Sequence, residues 1–440
     1  MDDSIFFESL DERRLAISSK YRIPIVPPNH GHGRPWGGII DDTLGIFPEE
    51  LRMNAEDELV KRKLFWFKYL YNIKKQLEKS DVVIVGIPTD IDVEYRHGAR
   101  FGPRAIRDAS FQFSPYTEYN CDLSSFRICD IGDVEVHPYV LDEDMWKEDD
   151  IYRIQYHQYL QDKEIPPKWT GNIQRIEWTL KWMLGYKIPQ MNTILPNMSP
   201  TYGSKNPIPV IIGGGHGISF PCIKAVFDSL DDNERDNFFV IYFDAHPDLL
   251  KRRSGLEKTH ASQATRVAEH LYNNLESHPD GRIIQIGVRD IEEEERETRK
   301  EYKIKWLKMG GLDKDYEADE ICRYRDVNNS FNKIREWLRL SNDKGNIYLY
   351  ISVDIDVLDA GLIPGTGTPD IGGLSGRELI DLLHQVVSEK EIKLYGLDVV
   401  ETAPDRNIGN ISGVTSVRVI WETIGTYLKT HNRSGGYVRK

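Results

Sequence analysis

Apolar runs rich in β-branched and aromatic residues recur along the chain, and segments with helical spacing of apolar positions lie between several of them. "DVVIVGIP" (81–88), "NPIPVIIGG", "FFVIYF", "RIIQIGV", "NIYLYISV" and "IKLYGLDVV" are continuously hydrophobic, as expected of strands buried on both faces of a parallel sheet. "FPCIKAVFDSL", "HASQATRVAEHLYNNL", "SFNKIREWLRL" and "SGRELIDLLHQVVSEK" read as helices between them. This alternation predicts an α/β domain around a mainly parallel sheet. Residues 1–78 read as an N-terminal extension, with a helical stretch near "EDELVKRKLFWFKYLYNIKKQLEKS". His30 and His32 fall in its Gly/Pro-rich part and read as linker residues before they read as metal ligands. Residues 79–440 form the α/β domain in this reading, with a less regular insertion at about 135–206, rich in Tyr, Trp, Lys and Pro.

The polar residues that interrupt this pattern fall at strand ends, where open α/β sheets bind ligands. "PVIIGGGH" ends in His216, "FFVIYFDAHPD" in Asp244, His246 and Asp248, and "YLYISVDID" in Asp354 and Asp356. Alternate side chains of an extended chain share a face, so D-x-H-x-D and D-x-D are expected to aim their side chains together. Each motif alone has a plain structural reading: a DxD is a turn or cap, a GGGH a tight turn. Three of them after three separate strands point to metal. Four carboxylates cannot all stay ionised in one place without compensating charge. Two divalent cations supply it, and mixed carboxylate and imidazole donors suit Mn²⁺ best, with Fe, Co, Ni or Zn open.

Charge and composition narrow the class. The net charge of −13 excludes a basic nucleic-acid footprint. No apolar run reaches the length of a membrane span, and the acidic N-terminus has no secretory pattern. Cys121, Cys129, Cys222 and Cys322 lack CxxC spacing and read as reduced thiols of a cytoplasmic protein.

"GGGHGISF" (213–220), "FDAHPDLL" (243–250), "SVDIDVLDAGLIPGTGTPDIGGLS" (352–375) and "GLDVVETAPDRN" (396–407) together resemble the ureohydrolases, the family of arginases, agmatinases and formiminoglutamases. "GIPTDIDVEYRHGARFGPRAIRDAS" (86–110) is similar to the first strand–loop–helix of agmatinase-like members. The resemblance implies a three-layer α/β/α fold and a binuclear manganese centre, with nickel as the other candidate. It implies one ion on His216, Asp248 and the bridging Asp244 and Asp354. The second ion falls to His246 and Asp356 with the same two bridges. It further implies attack of a metal-bridging hydroxide on the guanidinium carbon, Glu401 as the guanidinium-binding carboxylate, and His260 as the histidine credited with proton transfer. For Glu401 the plain alternative is a loop or cap residue, and for His260 a residue of a helix start. A homotrimer or homohexamer fits the family. The sequence departs from it at Gly215, where an acidic residue is usual, and at Ala360, where proline is expected after Asp359.

The resulting expectation is an amidinohydrolase that releases urea from a small guanidino compound, agmatinase-like or acting on free guanidine. The alternatives are formiminoglutamate hydrolysis, which releases formamide, and a non-catalytic metal-binding homologue. A zinc deacetylase shares the fold but holds one metal, whereas His216, Asp248 and Asp356 complete a second site here. Gly98, Gly102 and Pro103 read as turn and helix-start residues rather than pocket lining. Lys251, Arg252 and Arg253 are open between a contact to a substrate carboxylate and a solvated loop. Asp290 and Glu292 fall near the place where arginases bind an α-amino group, or on an exposed helix face.

Overall fold

The computed structural model describes residues 25–26, 72–136, 171–185, 200–202, 206–275, 281–310, 321–340 and 345–431. His30 and His32 lie outside them, as does the predicted helix near 56–80 apart from residues 72–77, which are helical.

Ten strands among the described residues form one sheet: β1 (Ile25–Val26), β2 (Val82–Ile87), β3 (Ile128–Val134), β4 (Ile208–Gly213), β5 (Phe238–Phe243), β6 (Ile283–Ile286), β7 (Lys305–Lys308), β8 (Ile321–Arg323), β9 (Ile347–Asp354) and β10 (Ile392–Val400). Their order is β1-β3-β2-β4-β10-β9-β5-β6-β7-β8, parallel throughout except where β1 runs antiparallel to β3. All six strands expected from the apolar runs are present. β3 was hidden by Asp130 and Asp133, which a sequence reading takes for loop residues. Both are buried, and Arg107 holds them from an adjoining helix at 2.8 and 2.6 Å.

Period-two alternation sorts the strand side chains into two cores. Phe239, Ile241 and Phe243 of β5 join the core beneath α1 (Gly102–Ser110), α6 (Val327–Trp337), α7 (Gly376–Val387) and α8 (Ile411–Thr430). Phe238, Val240 and Tyr242 join the core beneath α2 (Asn172–Met183), α3 (Ser219–Asp228) and α4 (Gln263–Asn274). A further helix, α5 (Glu293–Tyr302), follows β6. The result is helix, sheet and helix in three layers. α2 lies within the stretch read as an insertion, yet Ile173, Ile176, Leu180 and Met183 are buried, so this part of 135–206 is core. Cys121, Cys129 and Cys222 are free thiols. No described helix is long and apolar enough to cross a membrane.

The topology decides where a ligand can bind. The chain lays β4 beside β2, then passes over two strand positions to β5, and the late strands β9 and β10 fill the gap. The carboxyl ends of β4, β10, β9 and β5 are thereby neighbours, at the kind of crossing where α/β sheets open a crevice.

Candidate metal centre

Those four strand ends carry all six sequence-predicted ligands and Glu401. Asp354 is the last residue of β9, and Asp244 follows β5 directly, its N–H bonded to the Ile286 carbonyl at 2.9 Å. The residues after them do not continue as extended chain, contrary to the alternation argument. Asp244 Oδ1 accepts the His246 N–H at 2.7 Å, and Asp354 Oδ1 accepts the Asp356 N–H at 2.9 Å. Each aspartate thus closes a turn on the residue two positions on. Asp356 sits in a 3₁₀ turn, Ile355–Val357, and Asp248 in the left-handed region at φ 53°. The side chains converge through these turns and not through strand pleating.

The two turns leave the other carboxylate oxygens facing His216. Its Nδ1 stands 3.0 Å from Asp244 Oδ2, 3.0 Å from Asp248 Oδ2 and 3.3 Å from Asp354 Oδ2. His246 Nδ1 stands 3.0 Å from Asp356 Oδ2 and 3.7 Å from Asp244 Oδ1. Two donor groups result, His216 with Asp244 and Asp354, and His246 with Asp244 and Asp356, with Asp244 common to both. His216 Nδ1 and Asp244 Oδ2 are buried without a hydrogen-bond partner. Orphaned donors of mixed imidazole and carboxylate type fit divalent cations.

The electrostatics carry the same demand. Burial disfavours charge on His216 and His246, yet the surrounding aspartates outweigh it and hold both imidazoles well above their ordinary pKa. Burial, then Asp356 and Asp244, push the Asp354 carboxyl well up, while the two imidazoles hold Asp244 below the usual carboxylate range against its burial. The cluster thus calls for compensating positive charge, which protons or divalent cations can supply.

A polar layer beneath the centre escaped the sequence reading. Ser352 of β9 and Asp398 of β10 are register partners, and the Ser352 hydroxyl donates to Asp398 Oδ1 at 2.6 Å. Ser352 Oγ lies 3.0 Å from His216 Nε2 and is placed to accept its N–H, which leaves the Nδ1 lone pair toward the carboxylates. Tyr350 donates to Asp398 Oδ2 at 2.9 Å. The available signal was two polar residues at facing positions of otherwise apolar strands. Glu295 was also missed. It closes the first turn of α5 through the Glu292 N–H at 2.8 Å and accepts the Leu249 N–H at 3.0 Å, tying that helix to the loop of Asp248. Burial pushes its carboxyl up to about 7.

Glu401 follows β10 at φ 58°, with its N–H on the Gly214 carbonyl. Its Oε1 accepts the His216 N–H at 2.8 Å, and Oε2 is buried and unpartnered. The departure at Gly215 has a local reason: a Cβ there would stand 2.7 Å from Val93 Cγ2 and 3.1 Å from Glu401 Oε1. His260 opens a 3₁₀ turn ahead of α4, and its Nδ1 meets the Asp92 carbonyl. The Asp92 side chain lies against Gly217, where a Cβ would reach to 2.0 Å from Oδ2. Asp92, another residue that sequence reasoning missed, is buried with neither carboxylate oxygen partnered.

His260 and Glu401 line a cavity of about 170 Å³ together with His216, His246, Asp248 and Asp354. Its mouth answers the question left open for the basic loop. Arg253 pairs with Glu94 at 2.6 Å and Glu292 at 2.7 Å, Lys251 with Glu301 at 3.4 Å, and Arg252 with Glu257. Each of these cations already has a carboxylate. Asp290 lines the same cavity and is largely exposed, 3.9 Å from His246 Nε2. Gly98, at φ 144°, and Gly102 with Pro103 open the short 3₁₀ turn and α1, as a structural reading expects.

The model of the arginase family matches residues 80–425. The chain belongs to this family. It is therefore a hydrolase of C–N bonds in linear amidines, of a class that depends on a binuclear metal centre. Among its relatives, the agmatinase of Bacillus subtilis (strain 168) is 27% identical over 357 residues, which span 81% of this chain and 95% of that protein. The N(1)-aminopropylagmatine ureohydrolase of Thermococcus kodakarensis is 26% identical over 370 residues, 82% of this chain and 98% of its own. The solved proclavaminate amidino hydrolase of Streptomyces clavuligerus superposes with a TM-score of 0.55 at 24% identity, covering 81% of this chain and 94% of that one. At that identity the likeness establishes the fold.

Proposed function

We propose that this chain hydrolyses a small guanidino compound to urea and an amine, and that the compound has a cationic tail or none. The acidic mouth carries this reading. Arg253 at the entrance is held between Glu94 and Glu292, and Asp290 stands at the same entrance, so carboxylates outnumber the cation there. A substrate carboxylate meets negative charge there, and an ammonium group meets attraction. Formiminoglutamate, with its carboxylates, suits such an entrance poorly.

His216, Asp248, Asp244 and Asp354 would hold one cation, and His246 and Asp356, with Asp244 and Asp354 shared, the other. Mn²⁺ is the first candidate and Ni²⁺ the second, on donor type. Two such ions supply Lewis acidity and lower the pKa of a water at the amidine carbon. The chain's own groups do the rest. Glu401 Oε2 accepts from the amidinium N–H and orients its carbon, while Oε1 stays on the His216 N–H and fixes the carboxylate in place. His260, its Nδ1–H given to the Asp92 carbonyl, keeps Nε2 as the basic nitrogen that takes the proton lost by the water adding to the amidine carbon and hands it to the leaving amine. The test is product release by Mn²⁺- or Ni²⁺-loaded protein from agmatine, 4-guanidinobutyrate, guanidinoacetate, arginine, free guanidine and formiminoglutamate. Urea from agmatine or guanidine in preference to the carboxylates is expected. Formamide from formiminoglutamate alone overturns the reading.

A further inference from the structure

His246 and Asp356 are the ligands particular to the second cation, and they come from the ends of different strands, β5 and β9. A third loop fixes their spacing. Ala245, next to His246, donates its N–H to Asp356 Oδ1 at 3.1 Å. The Ala245 carbonyl accepts the N–H of Arg289, just beyond β6, at 2.9 Å. Arg289 Nη2 donates in turn to the Asp356 carbonyl at 2.7 Å. These bonds close a ring through Ala245, Asp356 and Arg289.

The guanidinium reaches beyond that ring. A 3₁₀ turn leaves its last carbonyls without partners inside the turn. Arg289 donates to those of Val357 and Leu358 at 3.4 and 3.3 Å, beside that of Asp356. It also holds the carbonyls of Asp370 and Ile371, at 2.9 and 3.0 Å, in the loop that carries Thr368. The Thr368 hydroxyl donates to Asp356 Oδ2 at 3.1 Å, so this loop reaches the ligand's carboxylate as well. Asp370 Oδ2, 2.9 Å from Arg289 Nε, balances the guanidinium charge and limits its repulsion of a cation at Asp356. Among the described residues, none of the Arg289 hydrogen bonds falls on His216 or Asp248, the ligands particular to the other cation.

We propose that Arg289 is a positioning residue for the second cation alone: it fixes the Asp356 turn against Ala245, sets the spacing of His246 and Asp356, and so raises affinity at that site and not at His216. The inference rests on the two-cation reading. A lysine at this position keeps the charge and loses the planar set of donors that spans several carbonyls at once.

Titration of the metal-free full chain with Mn²⁺, followed by calorimetry and by electron paramagnetic resonance, tests it. The wild type is expected to bind two ions per chain and to reach the spectrum of a spin-coupled pair. Arg289→Lys is expected to bind one ion as the wild type does and the second about tenfold to a hundredfold more weakly, so that an isolated-ion spectrum precedes the coupled one. Asp370→Asn loosens the guanidinium without removing it, with less risk to the fold, and is expected to weaken the same ion. An unchanged second affinity in Arg289→Lys overturns the inference. Equal weakening of both ions in either variant also overturns it, because Arg289 then supports the fold and not one site. Fewer than two ions on the wild type refutes the two-cation reading itself, and this inference with it.

Discussion

Asp244 and Asp354 do two jobs with one carboxylate each, an oxygen on a turn N–H and an oxygen toward His216. Asp354→Asn keeps the turn acceptor and loses the charge. It is expected to lose bound metal and activity together while melting near the wild type, as read by metal analysis and circular dichroism; full activity in this variant refutes the two-metal centre. Asp92 makes the opposite case. Burial raises its pKa, with the nearby Asp90 adding and the His260 charge opposing. A raised carboxyl destabilises the fold only where the unfolded chain has ionised, so the penalty is absent at acid pH and grows above the unfolded pKa. Asp92→Asn is therefore expected to stabilise the fold at pH 8 and not near pH 3. Thermal melts at the two pH values check it, and an equal shift at both argues for packing instead of charge. The residues of this site were legible to different depths. His216, Asp244, His246, Asp248, Asp354 and Asp356 stand out because polar residues end apolar runs. Asp92 does not, because its meaning depends on Gly217 and His260, which the fold brings to it from elsewhere.

At the scale of elements, β9 and β10 act as one unit, with Ser352 and Asp398 as facing partners under His216. Groups that orient a metal-binding histidine commonly carry a factor of 10 to 100 in affinity. Ser352→Ala is expected to weaken metal binding by about that factor with little loss of fold, measured by competition with a chelator. Unchanged affinity makes the Ser352 contact structural only. The elements also show what patterning can and cannot convey. β5 and β10 coincide with the apolar runs "FFVIYF" and "IKLYGLDVV", since fully buried strands carry their own signal. β3 carries two aspartates whose partner, Arg107, lies more than twenty residues away in sequence, so its burial becomes readable only in three dimensions. The ligand turns were misjudged for a similar reason. Period-two alternation describes a strand, and the capping by Asp244 and Asp354 ends the strand one residue too early for that rule.

For the whole molecule, loading the centre is a proton exchange. The surrounding aspartates favour the protonated form of His216 and His246, so cations compete with protons for these imidazoles. Metal affinity is expected to rise with pH. Calorimetry in buffers of different ionisation enthalpy is expected to show protons released as metal binds; no buffer dependence counts against the imidazoles as ligands. The architecture that converges the site has another consequence, at the margins of the sheet. Ten strands side by side present a broad hydrogen-bonding template, yet among the described residues its outermost members, Ile25–Val26 and Ile321–Arg323, are two and three residues long. At one margin β1 runs against the direction of the rest and covers the edge of β3 at Asp133 and Val134. The wide parallel sheet needed to bring four strand ends together thus carries an antiparallel strand at one margin.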